Sequence, residues 1–201
     1  MKVEDIFQGL KEVANPEDAI HMKAYMKDQF EFLGVKTPVR RKLSKVFFKK
    51  NSSLAIDWKF IHQAWDNPYR EMQYVVLDYL QLKQKALTPS DLPKIKKLAQ
   101  TKPWWDTIDF LCRSVGYISL HYPETKKIVL DWSRDKDFWL RRIAIEHQLL
   151  QKEETDVQLL EQILINNLNQ TEFFINKAIG WALRDYSKTN PEWVARFIEK
   201  N

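Results

Sequence analysis

Apolar residues recur three and four positions apart along most of the chain, the spacing that lines one face of an α-helix. Met22, Tyr25, Met26 and Phe30 follow it, as do Tyr74, Leu77 and Leu80 with Val75 and Tyr79 alongside. Polar or proline-bearing strings interrupt the pattern at DNPY (66 to 69), LTPSDLP (87 to 93), TKPW (101 to 104), HYPE (121 to 124), SRDKD (133 to 137) and TNPE (189 to 192). These predict short loops between helices of ordinary length. With Leu, Ile, Lys, Glu and Gln abundant and glycine scarce, the expected fold is all-α.

A repeat lies over the helical pattern. Four predicted helix starts carry an aromatic anchor after a polar turn: Tyr69, Trp104, Phe138 and Phe173, separated by 35, 34 and 35 residues. Asp66, Thr101 and Asp135 stand three residues before the first three anchors, where a side-chain oxygen can accept from a free amide of the first helical turn. Each anchored helix is preceded by another apolar segment, Phe60 to Trp65, Ile95 to Leu98, Ile128 to Trp132 and Leu159 to Leu168. Two helices per unit of ~35 residues is the signature of an α-α superhelix, or solenoid, in which each pair buries its apolar face on its neighbours. An ordinary helical bundle with coincidental spacing is the alternative.

Length and composition narrow the function classes. At 201 residues the chain suits one repeat domain spanning 1–201. The four glycines, Gly9, Gly34, Gly116 and Gly180, are too far apart to write a dinucleotide-binding fingerprint or a P-loop, so no nucleotide cofactor is expected. A single cysteine, Cys112, forbids an internal disulfide. The N-terminus lacks the apolar stretch of a signal peptide, and no apolar run approaches the ~20 residues of a membrane span. A cytoplasmic protein is the expectation. The net charge of +5 is modest, but Lys36, Arg40, Arg41, Lys42, Lys45, Lys49 and Lys50 form a run free of acids. A polyanion meets such a patch rather than the average.

Aligning the anchored helices shows which residues break the repeat. Five positions after the anchors stand Tyr74, Asp109, Ile143 and Ala178, so one repeat alone places a carboxylate there. Trp105 shares a helix face with Asp109 four residues on, and Arg142 falls four after its own anchor. Lys177, Trp181 and Arg184 form a cation, aromatic, cation stripe at i, i+4 and i+7. On equivalent helices these residues would converge on one concave, basic groove. An aspartate paired structurally with arginine and core tryptophans explain the same residues equally well. His21, His62, His121 and His147 are scattered, and neither they nor the lone cysteine suggest a metal site.

The strings YMKDQFEFLGVKTPVRRKL (25 to 43), WDNPYREMQYVVLDYL (65 to 80), TKPWWDTIDFL (101 to 111), DFWLRRIAIEHQL (137 to 149) and EFFINKAIGWALRDYSKTNPEWV (172 to 194) resemble the bacterial DNA alkylation repair glycosylases of the HEAT-like repeat family, the alkylpurine DNA glycosylase D type. The resemblance implies a monofunctional, cofactor-free glycosylase, a monomer of the bacterial cytosol associated with the nucleoid and not with a membrane. It would remove cationic N3- and N7-alkylated purines from duplex DNA and leave an abasic site. It further implies Asp109 as the catalytic carboxylate, Trp105 and Trp181 as walls of an aromatic cleft, and Arg142 as a basic residue near the backbone at the lesion. Tyr25, Thr37, Arg41, Lys177 and Arg184 match positions on the DNA-binding face. Family members commonly continue past the TNP segment with a further basic helical region, whereas this sequence ends at Asn201. A non-catalytic DNA-binding repeat protein and a helical scaffold for protein partners remain the alternatives from other classes.

Overall fold

Twelve α-helices and no strand make up residues 1–51 and 53–201, the residues that the computed structural model describes. They form two compact units, Met1–Ala86 and Leu87–Asn201. Among the described residues no helix is long and apolar enough to cross a membrane.

The first unit holds α1 (Val3–Lys11), α2 (Pro16–Tyr25), α3 (Thr37–Lys50), α4 (Trp58–Asp66) and α5 (Arg70–Leu82). Asn15 starts α2 by accepting from the amides of Glu17 and Asp18, with Pro16 in the first turn. The 3/4 spacing predicts that this helix runs on through Phe30, yet it stops at Tyr25. Lys27 and Asp28 both take φ of 57° and turn the chain back on itself. The segment beyond is held from α5. Arg70 lies 3.7 Å over the Phe30 ring, and the Glu71 carboxylate accepts from the amides of Leu33, Gly34 and Val35 at 2.9–3.1 Å. Gly34 is required there, since its φ is 81° and a Cβ would fall 1.9 Å from the Asn15 carbonyl oxygen. Phe47, Phe48, Phe60 and Tyr79 form the aromatic core between α3, α4 and α5.

The second unit holds α6 (Leu92–Gln100), α7 (Trp105–His121), α8 (Lys126–Trp132), α9 (Phe138–Glu146), α10 (Val157–Ile165), α11 (Phe173–Tyr186) and α12 (Pro191–Lys200). Each apolar segment expected before an anchor is a helix, namely α4, α6, α8 and α10, and the anchors sit at the first position or the N-cap of α5, α7, α9 and α11. At α9 the capping expectation is not met. Asp135 accepts from the Asp137 amide, one residue short of α9, and Asp137 itself caps that helix. Thr101 donates back to the Lys97 carbonyl at the end of α6, and Asp66 is the last residue of α4. The Asp135 side chain thus belongs to the connection rather than to the free amides of α9.

Candidate active site

The anchors explain how side chains from three helices reach one place. Trp104, Phe138, Trp139 and Phe174 pack ring on ring, with centroids 4.9 Å apart for Trp139 and Phe174 and 5.4 Å for Trp104 and Phe174. The cluster fixes the N-terminal ends of α7, α9 and α11 at a common level. Residues one turn further along α7 and α9 and two turns along α11, Asp109, Arg142 and Trp181, then come together. Packing is closest where α9 meets α7, since a Cβ on Gly116 would lie 1.9 Å from the His147 carbonyl oxygen. Gln151 ties that crossing by donating to the carbonyls of both Gly116 and His147.

Arg142, at the centre, is 1% exposed. Its Nε and Nη2 lie 2.9 and 2.8 Å from the same oxygen of Asp109, Oδ1. Nη2 also lies 2.8 Å from Glu146, one helical turn on along α9, and Nη1 donates to the Phe174 carbonyl at 2.6 Å. The Trp181 ring centroid is 5.1 Å from the guanidinium carbon, a cation–π contact from α11. Expected near a DNA backbone, Arg142 is instead wholly committed inside the protein, and its charge acts on Asp109. A buried guanidinium must be paired, and Asp109 of α7 and Glu146 of α9 supply the partners.

Asp109 keeps a fifth of its side chain exposed, at the edge of a cavity of about 430 Å³. Cys112, Arg113, Glu146, His147, Trp181, Arg184, Asp185 and Lys188 contribute to its walls. Burial pushes the Asp109 carboxyl up from the usual range, and the Arg142 charge and hydrogen bond oppose that rise. Burial raises Glu146 much further, to about 9, helped by the charge of Asp109. Cys112 and His147 share the cavity without forming a nucleophilic pair. The thiol donates to the Asp109 carbonyl and burial pushes it well above the usual thiol range. The imidazole donates from Nδ1 to the Ala144 carbonyl, and burial lowers it to about 4. Among the described residues no cluster of three or more His, Cys, Asp or Glu side chains is placed to hold a metal ion.

The remaining candidates divide between the units. Trp181 is 39% exposed, and Lys177 and Arg184 are exposed on the same helix, so the stripe read from α11 faces solvent. Trp105 is half-buried one turn before Asp109 on α7 and is not in the lining of the cavity. In the first unit Tyr25, Thr37 and Arg41 are all exposed. The basic run of α3 is less bare than its sequence. Arg40 is buried against Asp78 and the Tyr74 ring, Arg41 shares Asp78, and Lys36 pairs with Asp18 at 3.0 Å. Lys42, Lys45, Lys49 and Lys50 remain exposed as the outward charge of this helix.

Residues 6–201 match the family described as DNA alkylation repair enzyme. The chain belongs to that family. With membership come a role in DNA repair, DNA as the substrate class and the α-α superhelical repeat fold. A solved structure described as "Predicted DNA alkylation repair enzyme from Enterococcus faecalis" is similar at 34% identity and a TM-score of 0.86, over 94% of this chain and 90% of that one. No match is found among curated proteins.

Two members of the site were not singled out by the sequence, Glu146 and His147. Their signal was present, because both interrupt the apolar run IAIEHQLL on a helix expected to be buried, and Glu146 stands four residues after Arg142.

Proposed function

We propose that this family member is a monofunctional DNA glycosylase that hydrolyses the N-glycosidic bond of cationic N3- or N7-alkylated purines in duplex DNA. The observation that carries the reading is the Asp109 carboxylate, gripped on one oxygen by the buried Arg142 and partly exposed beside Trp181. An alkylated purine already bears the positive charge of a leaving group. It departs without a general acid, and the protein's task is to stabilise an oxocarbenium-like sugar and to direct water at it. Asp109 supplies the negative charge and the base for that water. Trp181 on α11 and Trp105, one turn before Asp109 on α7, limit bulk water and offer π-faces to the electron-poor sugar. Arg142 orients Asp109 as a positioning residue. Arg184 and Lys177 on α11 are set to meet backbone phosphates, as Arg41, Thr37 and Tyr25 are in the first unit.

The alternative of DNA binding without catalysis is disfavoured by the desolvation of Asp109, since a phosphate-tracking surface gains nothing from a carboxylate placed among its cations. Release of 7-methylguanine or 3-methyladenine from methylated duplex DNA, compared between the natural protein and Asp109→Asn, tests the reading. Time-dependent release that depends on Asp109 is expected. Binding without release would favour the non-catalytic alternative.

A further inference from the structure

The proposed reaction uses one carboxylate, yet the site contains two. Glu146 is fully buried on α9, one turn beyond Arg142, and its carboxylate lies 2.8 Å from Arg142 Nη2, the nitrogen that also lies 2.8 Å from Asp109 Oδ1. One guanidinium therefore stands between two acids carried by packed helices, α7 and α9. Were both acids ionised, a negative charge would be left uncompensated beside a guanidinium that is 1% exposed, and like charges this close do not both ionise readily. A single proton held between them removes the excess.

We propose that Glu146 is a positioning residue for Asp109: in its protonated form it donates to the Asp109 carboxylate and, together with Arg142, holds that carboxylate ionised and oriented at the cavity. Arg142 occupies Oδ1 from one side, and the proton of Glu146 supplies the second fixed contact. Burial and the Asp109 charge keep the proton on Glu146 at neutral pH, whereas Arg142 offsets the cost of ionising Asp109. The charged or titratable groups around Glu146 are Asp109 and Cys112 on α7, with Asp106 and Arg113 beyond them, and Arg142 and the neutral His147 on α9. Arg184 and Asp185 on α11 and Lys188 after it complete the surroundings. Asp109 and Arg142 are the charges that act on it directly. A pair that carries one proton titrates in two linked steps, and the site works in the window between them.

This inference deepens the glycosylase reading and rests on it for its kinetic part. The test is a carbon-detected NMR titration of side-chain carboxyls in the full chain, on the natural protein, Glu146→Gln and Asp109→Asn. The natural protein should show a carboxyl titrating near pH 9 that is missing in Glu146→Gln. In Asp109→Asn the Glu146 step should move down, because the neighbouring negative charge is gone and Arg142 is left to Glu146 alone. A Glu146 that titrates in the ordinary carboxylate range and ignores Asp109→Asn overturns the proposal. In single-turnover base release, Glu146→Leu should be slower by about tenfold at neutral pH, the loss of one hydrogen bond to a charged group, and Glu146→Gln should recover most of that rate because its amide still donates. A Glu146→Leu protein as fast as the natural one contradicts the role, as does a Glu146→Gln protein as slow as Glu146→Leu. The titration needs no substrate. Were no base released by the natural protein, the glycosylase reading would fall while the proton-sharing pair was still decided by NMR.

Discussion

Arg142 grips one oxygen of Asp109 from two nitrogens, with Nε at 2.9 Å and Nη2 at 2.8 Å from Oδ1. A carboxylate gripped in this way is fixed in orientation. The same guanidinium closes on Glu146 and on the Phe174 carbonyl, so α7, α9 and α11 are joined through one side chain.

Removing that side chain should be costly. Arg142→Ala would strand two buried acids and a carbonyl, and stability should fall by about 3 to 5 kcal/mol in chemical denaturation, the usual loss when one partner of a buried ion pair is deleted. Arg142→Lys should rescue little, since an ammonium cannot reach Oδ1 from two nitrogens and still span to Glu146 and Phe174. A stable Arg142→Ala protein would show that the bridge is not what joins the three helices.

The helix crossing beneath the site has its own test. In Gly116→Ala the new Cβ would meet the His147 carbonyl oxygen at 1.9 Å, a backbone atom that cannot step aside, and a loss of about 1 to 3 kcal/mol is expected. Gly180→Ala on α11 meets nothing within 4 Å and should instead gain about 0.5 to 1 kcal/mol from helix propensity. Denaturation midpoints of the two variants should therefore move in opposite directions.

How far this was legible in the sequence differs by level. The 3/4 spacing and the aromatic anchors revealed the helix pairs, because a face that must be buried leaves a periodic trace, and Tyr69, Trp104, Phe138 and Phe173 do mark helix starts. Local turn chemistry was not legible in the same way. Tyr25 ends α2 where Lys27 and Asp28 adopt positive φ, and the segment beyond them is held by Arg70 and Glu71, some forty residues away. Asp109 was visible as the one carboxylate at its repeat position. The burial of Arg142 was not visible, since nothing along the chain says that Asp109 and Glu146 both lie within its reach. The basic run of α3 likewise looked uncompensated only because its acid partners, Asp18 and Asp78, belong to other helices.

His147 provides a pH test of the buried wall. Its folded value of about 4 lies below the ordinary 6.5, so the unfolded chain takes up a proton in a range where the fold refuses one. Its contribution is therefore fully present above pH 6.5, is lost as pH falls toward 4, and levels off below that, on the order of 3 kcal/mol in all. Comparing stability at pH 7 and pH 4.5 for the natural protein and His147→Phe should show a clearly smaller acid loss in the variant. Equal losses would mean that His147 titrates freely.

Binding to DNA should be read from its salt dependence. Arg41→Ala and Arg184→Ala are each expected to weaken affinity for duplex DNA and to lower the slope of log K against log salt by about one, the signature of a single lost phosphate contact. Arg40 remains to hold Asp78 when Arg41 is removed, so the fold of the first unit should be undisturbed. Unchanged slopes would assign both arginines to the solvated surface.

The central claim is that Asp109 drives base release. The most direct measurement is single-turnover excision of 7-methylguanine and 3-methyladenine from methylated duplex DNA, run beside DNA binding for the natural protein and Asp109→Asn. The account predicts release by the natural protein, a loss in Asp109→Asn on the order of 100-fold or more in rate, and a much smaller change in affinity. Release at an undiminished rate by Asp109→Asn, or binding of methylated duplex by the natural protein with no base released, would contradict it.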